Sequence, residues 1–123
     1  MNNRFLQVAL ILGVIVIVLT GLYYIKKSKT QAVTLDDNSY YLFVGEGCDH
    51  CQKVEEHILE HKLREKLAIQ IMEVFKKTEN QNFYFLAFDK CGKDEPKTVS
   101  VPVLYHNGKC LTGDQDIIQE LGE

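Results

Sequence analysis

From Phe5 to Ile25 the chain reads FLQVALILGVIVIVLTGLYYI, twenty-one residues without a charge. Gln7 and Thr20 are its main polar interruptions. At a rise of about 1.5 Å per residue, such a helix measures roughly 31 Å, enough to cross a hydrocarbon core. A secretory signal peptide has a shorter apolar region, about 7–15 residues, and ends at a small-residue cleavage site. No such site follows here: the run passes directly into YYIKKSK. The segment is therefore expected to be an uncleaved membrane anchor over residues 1–27, followed by a polar stem over 28–38 and a folded domain over 39–123.

The charges divide at the same place. Arg4, Lys26, Lys27 and Lys29 flank the apolar run, and no acid precedes Asp36. From Asp36 onward 17 acids face 10 Lys and Arg, a formal −7, whereas the whole chain carries −3. A basic collar thus adjoins an acidic domain. Nucleic acid is not an expected partner, since its recognition needs a basic patch. Lys26, Lys27 and Lys29 outnumber Arg4 and the α-amino group, so the positive-inside bias favours a cytoplasmic domain by one charge. The four cysteines suit an oxidising compartment but also occur in cytosolic proteins. Both faces of the membrane stay open at this level.

Within the domain, YYLFVG (Tyr40 to Gly45) is a continuous apolar run ended by glycine, as in a central strand buried on both faces. A helix is expected from Cys48 to about Lys66, its apolar stripe running through Cys51, Val54, Ile58, Leu59, Leu63 and Leu67. AIQIMEVFK (Ala68 to Lys76) reads as a second strand. Glu79 to Gly92 reads as a helix, with strand as the competing assignment because of its aromatics. Asn107-Gly108 between two short apolar runs signals a hairpin, and Asp114 is a candidate N-cap for a closing helix. The order is β-α-β-α-β-β-α, an α/β fold with a mixed four-stranded sheet and helices on both faces.

The chemistry concentrates in FVGEGCDHCQK (Phe43 to Lys53). Cys48 stands where a buried strand turns into a helix. Unpaired N–H groups and the positive end of the helix dipole stabilise an anion there. A thiolate at that position is a nucleophile near neutral pH. Cys51, one turn along, can attack a mixed disulfide formed at Cys48 and release the reduced substrate. A CxxC after an apolar strand in a βαβ context is a fairly specific sign of a redox site. His50, when protonated, would stabilise the Cys48 thiolate, while Asp49 would oppose it, so both are candidate tuning residues. Asp49 also suits a helix N-terminus simply as an acid favoured by the dipole.

Other uses of the cysteines are weaker. A zinc site needs four ligands, and Cys91 and Cys110, nineteen apart, make no second CxxC. HILEH (His57 to His61) matches the string of a metallopeptidase class but is expected to be two histidines on the edge of an amphipathic helix. Cys91 and Cys110 could pair, act as a relay, or stay as small buried thiols. The expected topology puts Cys110 at the sheet end away from Cys48 and Cys91 nearer the active end, which favours buried free thiols.

FVGEGCDHCQKVEEHI resembles the strand, active site and first helix of glutaredoxins, within the thioredoxin superfamily. TVSVPVLYHNGKCLTGDQDIIQEL is similar to that family's T-V-P, N-G and G-x-D-D run. The resemblance spans about Tyr40 to Leu121. It implies a thioredoxin-like fold with Cys48 as nucleophile and Cys51 as resolving thiol. It also implies that Pro102 is a cis-proline turning the Val101 backbone toward substrate, and that Gly113 and Asp114 lie near the γ-glutamyl end of any bound glutathione.

The family's usual lysine before the first cysteine is absent, and Glu46 stands in that neighbourhood. This favours protein or small-molecule disulfides as substrates, with no cofactor and with glutathione as a possible co-substrate. The expected function is a membrane-tethered thiol-disulfide oxidoreductase. The alternatives are a metal or iron–sulfur handling module using the same thiolates, and a non-catalytic thioredoxin-like interaction domain.

Overall fold

A computed structural model describes residues 3–27, 34–94 and 96–122. The chain forms two compact units, Met1–Ala32 and Val33–Glu123. In the first, helix α1 (Asn3–Lys27) is apolar between its charged ends, and its Asn3–Tyr23 portion is long and apolar enough to cross a membrane. Thr20 returns its hydroxyl to the carbonyls of Val16 and Ile17, so the polar group is satisfied within the helix. Residues 28–33 of the expected stem lie outside the described residues. Leu35, also assigned to the stem, is instead buried in the core of the second unit.

The second unit is built on strands β1 (Tyr40–Val44), β2 (Ile69–Glu73), β3 (Val103–His106) and β4 (Lys109–Thr112), in the order β2-β1-β3-β4. β1 pairs with β2 in parallel and with β3 antiparallel, and β3 pairs antiparallel with β4. The continuous apolar run of β1 follows from this central place. Leu42 and Val44 face one layer, with α2 (Asp49–Glu60), α3 (Leu63–Lys66) and α5 (Asp114–Leu121) packed on it. Tyr41 and Phe43 face the other, where Tyr84, Ala87 and Phe88 of α4 (Thr78–Lys90) cover them. The second layer is rich in rings, with Phe43 and Tyr84 meeting edge to face at 5.4 Å between centroids.

Two expected features differ. The helix from Cys48 to Lys66 is broken: Lys62 adopts a left-handed conformation (φ 51°, ψ 39°) between α2 and α3. No glycine marks the break, so the sequence reads straight through it. Leu59 is 71% exposed rather than part of the stripe. It lies about 100° around the helix from Ile58, and Cys51, Val54 and Ile58 already fill the buried face.

The aromatic segment Thr78–Lys90 is a helix, as the first of its two readings expected. Asn107 and Gly108 both take positive φ (47° and 73°), the geometry of a two-residue hairpin turn that matches strand twist.

Candidate active site at the N-terminus of helix α2

β1 ends at Val44 and leads through Gly45, Glu46 and Gly47 to Cys48. Gly45 is buried, and a Cβ there would overlap the ring of Phe75. Gly47 adopts φ 75°, a turn conformation that glycine takes without strain. The turn delivers Cys48 as the N-cap of α2, with extended backbone (φ −96°, ψ 104°). Its Sγ accepts the backbone N–H of Cys51 at 3.1 Å, the place an oxygen takes in ordinary N-caps. Cys48 and Cys51 form a disulfide with Cα atoms 5.3 Å apart. Cys48 is half-buried, while Cys51 is 2% exposed beneath the helix. An incoming reactant therefore reaches Cys48 first.

The second wall comes from far along the chain. The Val101–Pro102 peptide bond is cis, and the Val101 carbonyl oxygen lies 3.9 Å from Cys48 Sγ. Tyr84 holds this loop from below. Its hydroxyl donates to the Ser100 carbonyl at 3.0 Å and accepts the Ser100 N–H at 3.1 Å. The Pro102 carbonyl accepts the N–H of Gly113 at 3.2 Å, so the proline loop and the start of α5 are tied together.

Gly113, with φ 92° and ψ 149°, caps α5. The N-cap assigned to Asp114 thus belongs to Gly113, which can take a backbone that disfavours a side chain. Asp114 is the first helical residue, and its carboxylate turns toward the start of α2. Oδ2 lies 3.2 Å from His50 Nδ1 and 3.4 Å from Lys53 Nζ. The His50 hydrogen bond holds the Asp114 carboxyl below the ordinary carboxylate range, outweighing burial, with Lys53 adding to the effect.

The sequence-selected residues thus meet at one end of the sheet: Cys48, Asp49, His50 and Cys51 on α2, Val101 and Pro102 beside them, and Gly113 and Asp114 across from His50. Asp49 is exposed in the first turn of α2. Glu46 forms an ion pair with Lys76, both largely exposed, so the acid before the motif has a cationic neighbour. Three contributors escaped sequence reasoning. Lys53, three residues after His50 on one helix face, was readable from spacing. Lys76 and Tyr84 carried no signal, because only the tertiary fold brings them here.

Cys91 and Cys110 correct the expectation of free thiols, since they form a disulfide with Cα atoms 5.9 Å apart. The error lay in the direction of α4. β2 runs parallel to β1, so α4 starts at the Cys48 end and its C-terminus arrives at the opposite end. There the hairpin turn places Cys110, beside Tyr105 in the register.

His57 bonds through Nε2 to the Gly122 carbonyl at 2.7 Å and stacks edge-on against His61, so this pair serves helix packing. Among the described residues no group of three or more His, Cys, Asp or Glu is arranged to hold a metal.

This topology, a mixed four-stranded sheet between helical layers with a CxxC at the first helix and a cis-proline facing it, defines a thioredoxin-like domain. Comparison with solved structures finds a mutant of the thioredoxin-like protein BC3987, with 19% identity and a TM-score of 0.49. The match covers 68% of this chain and 92% of that one. No family model and no curated protein matches the sequence.

Proposed function

We propose that the protein is a membrane-tethered thiol-disulfide oxidoreductase. Cys48 is its nucleophile, Cys51 its resolving thiol, and protein or small-molecule disulfides its substrates. The observation that carries this reading is the asymmetry of the pair: Cys48 stands half-buried at a helix N-terminus, and Cys51 is buried one turn behind it. With the pair reduced, the Cys48 thiolate attacks a substrate sulfur, forming a mixed disulfide and expelling one substrate thiol. Cys51 then attacks Cys48 Sγ, closing the intramolecular disulfide and expelling the second thiol. The Val101 carbonyl and the Gly113 segment offer backbone partners for an extended substrate or for glutathione as co-substrate.

Helix α1 anchors the chain in this reading, and the domain works in an oxidising compartment. The second disulfide, remote from the redox pair, supports that side of the membrane, because structural disulfides persist where thiols are not kept reduced. It outweighs a charge bias of one residue.

The full-length protein in detergent micelles should reduce a small aromatic disulfide when supplied with a dithiol. The Cys48→Ser variant should fall to the uncatalysed rate, and equal turnover in that variant would sink the mechanism. In intact cells, an impermeant thiol reagent applied after mild reduction should label Cys48. Labelling only after permeabilisation would place the domain on the other face.

A further inference from the structure

We infer that Asp114 is a positioning residue for the redox motif: it fixes the imidazole of His50 as the Nδ1–H tautomer and leaves Nε2 as the nitrogen that exchanges protons with substrate. The inference deepens the proposed thiol-disulfide activity and rests on that reading for its catalytic consequence.

Asp114 Oδ2 stands 3.2 Å from His50 Nδ1. An ionised carboxylate can only accept, so this contact is a hydrogen bond only when Nδ1 carries the proton. The carboxylate is ionised at neutral pH, being held below the usual range by His50 and Lys53. Its side chain is 16% exposed, whereas that of His50 is 65% exposed. The acceptor is therefore seated against the fold, at the start of α5, and the donor's other edge is open. A neutral imidazole has one N–H, and the partner of one nitrogen decides which atom keeps it. Here Nε2 is left unprotonated, the usual arrangement of a base oriented by a third group.

The charged groups beside His50 are Asp49 and Lys53 on its own helix and Asp114 at the start of α5. Of these, only Asp114 is placed against its ring. Lys53 lies on the same Oδ2 at 3.4 Å and keeps that carboxylate turned toward α2. This use also accounts for the Asp114 carboxylate, since both side chains on its Oδ2 belong to α2.

The chemistry balances with one mobile proton on Nε2. Nε2 first takes the Cys48 thiol proton; the thiolate then attacks a substrate disulfide, one S–S bond forms, one breaks, and the leaving thiolate takes that proton from Nε2. The Cys51 sulfur then attacks Cys48, and its thiol proton passes to the second substrate thiolate as that leaves. The dithiol supplies both electrons and both protons; the imidazole is returned unchanged.

The test uses the full-length ¹⁵N-labelled protein in micelles, above the titration of its histidines, with His50→Gln identifying the His50 signals. The parent should show the Nδ1–H tautomer, and Asp114→Ala should show Nε2–H. A charge-assisted hydrogen bond is expected to move that ratio roughly tenfold or more. Asp114→Glu should restore part of the parental pattern.

An Nε2–H signal in the parent, or one tautomer in parent and Asp114→Ala alike, would overturn the inference. For turnover, the pH–rate profile of Asp114→Ala should match that of His50→Gln, and the double variant should add little to either. Full additivity would likewise refute it. These readouts separate the two readings: activity surviving Cys48→Ser removes the proposed function while leaving the tautomer assignment standing.

Discussion

Cys48 Sγ and the Val101 carbonyl oxygen, fifty-three residues apart in sequence, lie 3.9 Å apart in the fold. The contact joins the N-terminus of a helix to a cis-peptide loop, and neither element alone forms the pocket. Tyr84 underpins the loop, Gly113 ties it to α5, and Asp114 on α5 turns back to His50 within the motif. The site is thus a ring of contacts among α2, the proline loop, α4 and α5.

In the proposed mechanism, the burial of Cys51 confines its attack to the mixed disulfide. Cys51→Ser is expected to keep the first attack and lose the resolving step. Incubated with a disulfide substrate, the variant should accumulate a one-to-one covalent adduct at Cys48, visible by mass spectrometry and released by dithiol. An adduct at Cys91 or Cys110 instead would remove Cys48 from its role.

Tyr84→Phe tests the support of the proline loop. The variant removes one hydroxyl that makes two hydrogen bonds to Ser100. Ser100 is exposed and its backbone groups can turn to water, so the stability cost should be modest, about 1 kcal/mol. Turnover should fall more than stability suggests, because the Val101 carbonyl loses its fixed place. A variant as active as the parent, with unchanged denaturant midpoint, would show that packing alone holds the loop.

The Cys91–Cys110 pair should contribute stability without taking part in exchange. Closing a loop of this size is worth about 3 kcal/mol in the chain-entropy account. The double variant Cys91→Ala/Cys110→Ala should lose roughly that amount by denaturant titration and keep most of its disulfide reduction, since both residues lie at the far end of the sheet. Loss of activity in a folded double variant would mean that this pair relays electrons.

Acid should weaken the domain through three carboxylates. The Tyr105 hydroxyl, at 2.6 Å, and Lys90 lower the pKa of Asp37. Burial raises that of Glu73, but backbone N–H groups of Lys76, Phe75 and Lys77 outweigh it and the net shift is downward. Asp114 is lowered by His50. A group whose native pKa lies below its unfolded value stabilises the fold when ionised. That contribution is complete above the unfolded carboxylate pKa, about 4, and is lost as pH falls through the native values. Melting temperature should therefore be flat from pH 7 to about 5 and drop below about 4, and Asp37→Asn should flatten that drop. An unchanged acid limb in Asp37→Asn would assign the loss to other groups.

Much of this was legible in the chain because it is local. The unbroken apolar run at Tyr40–Val44 required a central strand, Asn107-Gly108 specified a hairpin, and CxxC after a strand marked a helix N-terminus. The second motif, Val101-Pro102 with Gly113, was recognisable by resemblance rather than by periodicity. The left-handed break at Lys62 was not legible, because lysine carries no turn preference and tertiary packing selects that conformation. Nor was the pairing of Cys91 with Cys110, which depends on the direction of a helix whose start is set by strand pairing.

By itself, the sequence determined the apolar helix, the order of the strands along the chain and the place of Cys48 and Cys51 at the start of a helix. Each follows from residue type and short-range spacing. Only the tertiary structure decided which side chains surround those thiols. The choices of Asp114 for His50, Tyr84 for Ser100 and Lys76 for Glu46 are made by strand order and helix direction, which bring together residues that no periodicity connects.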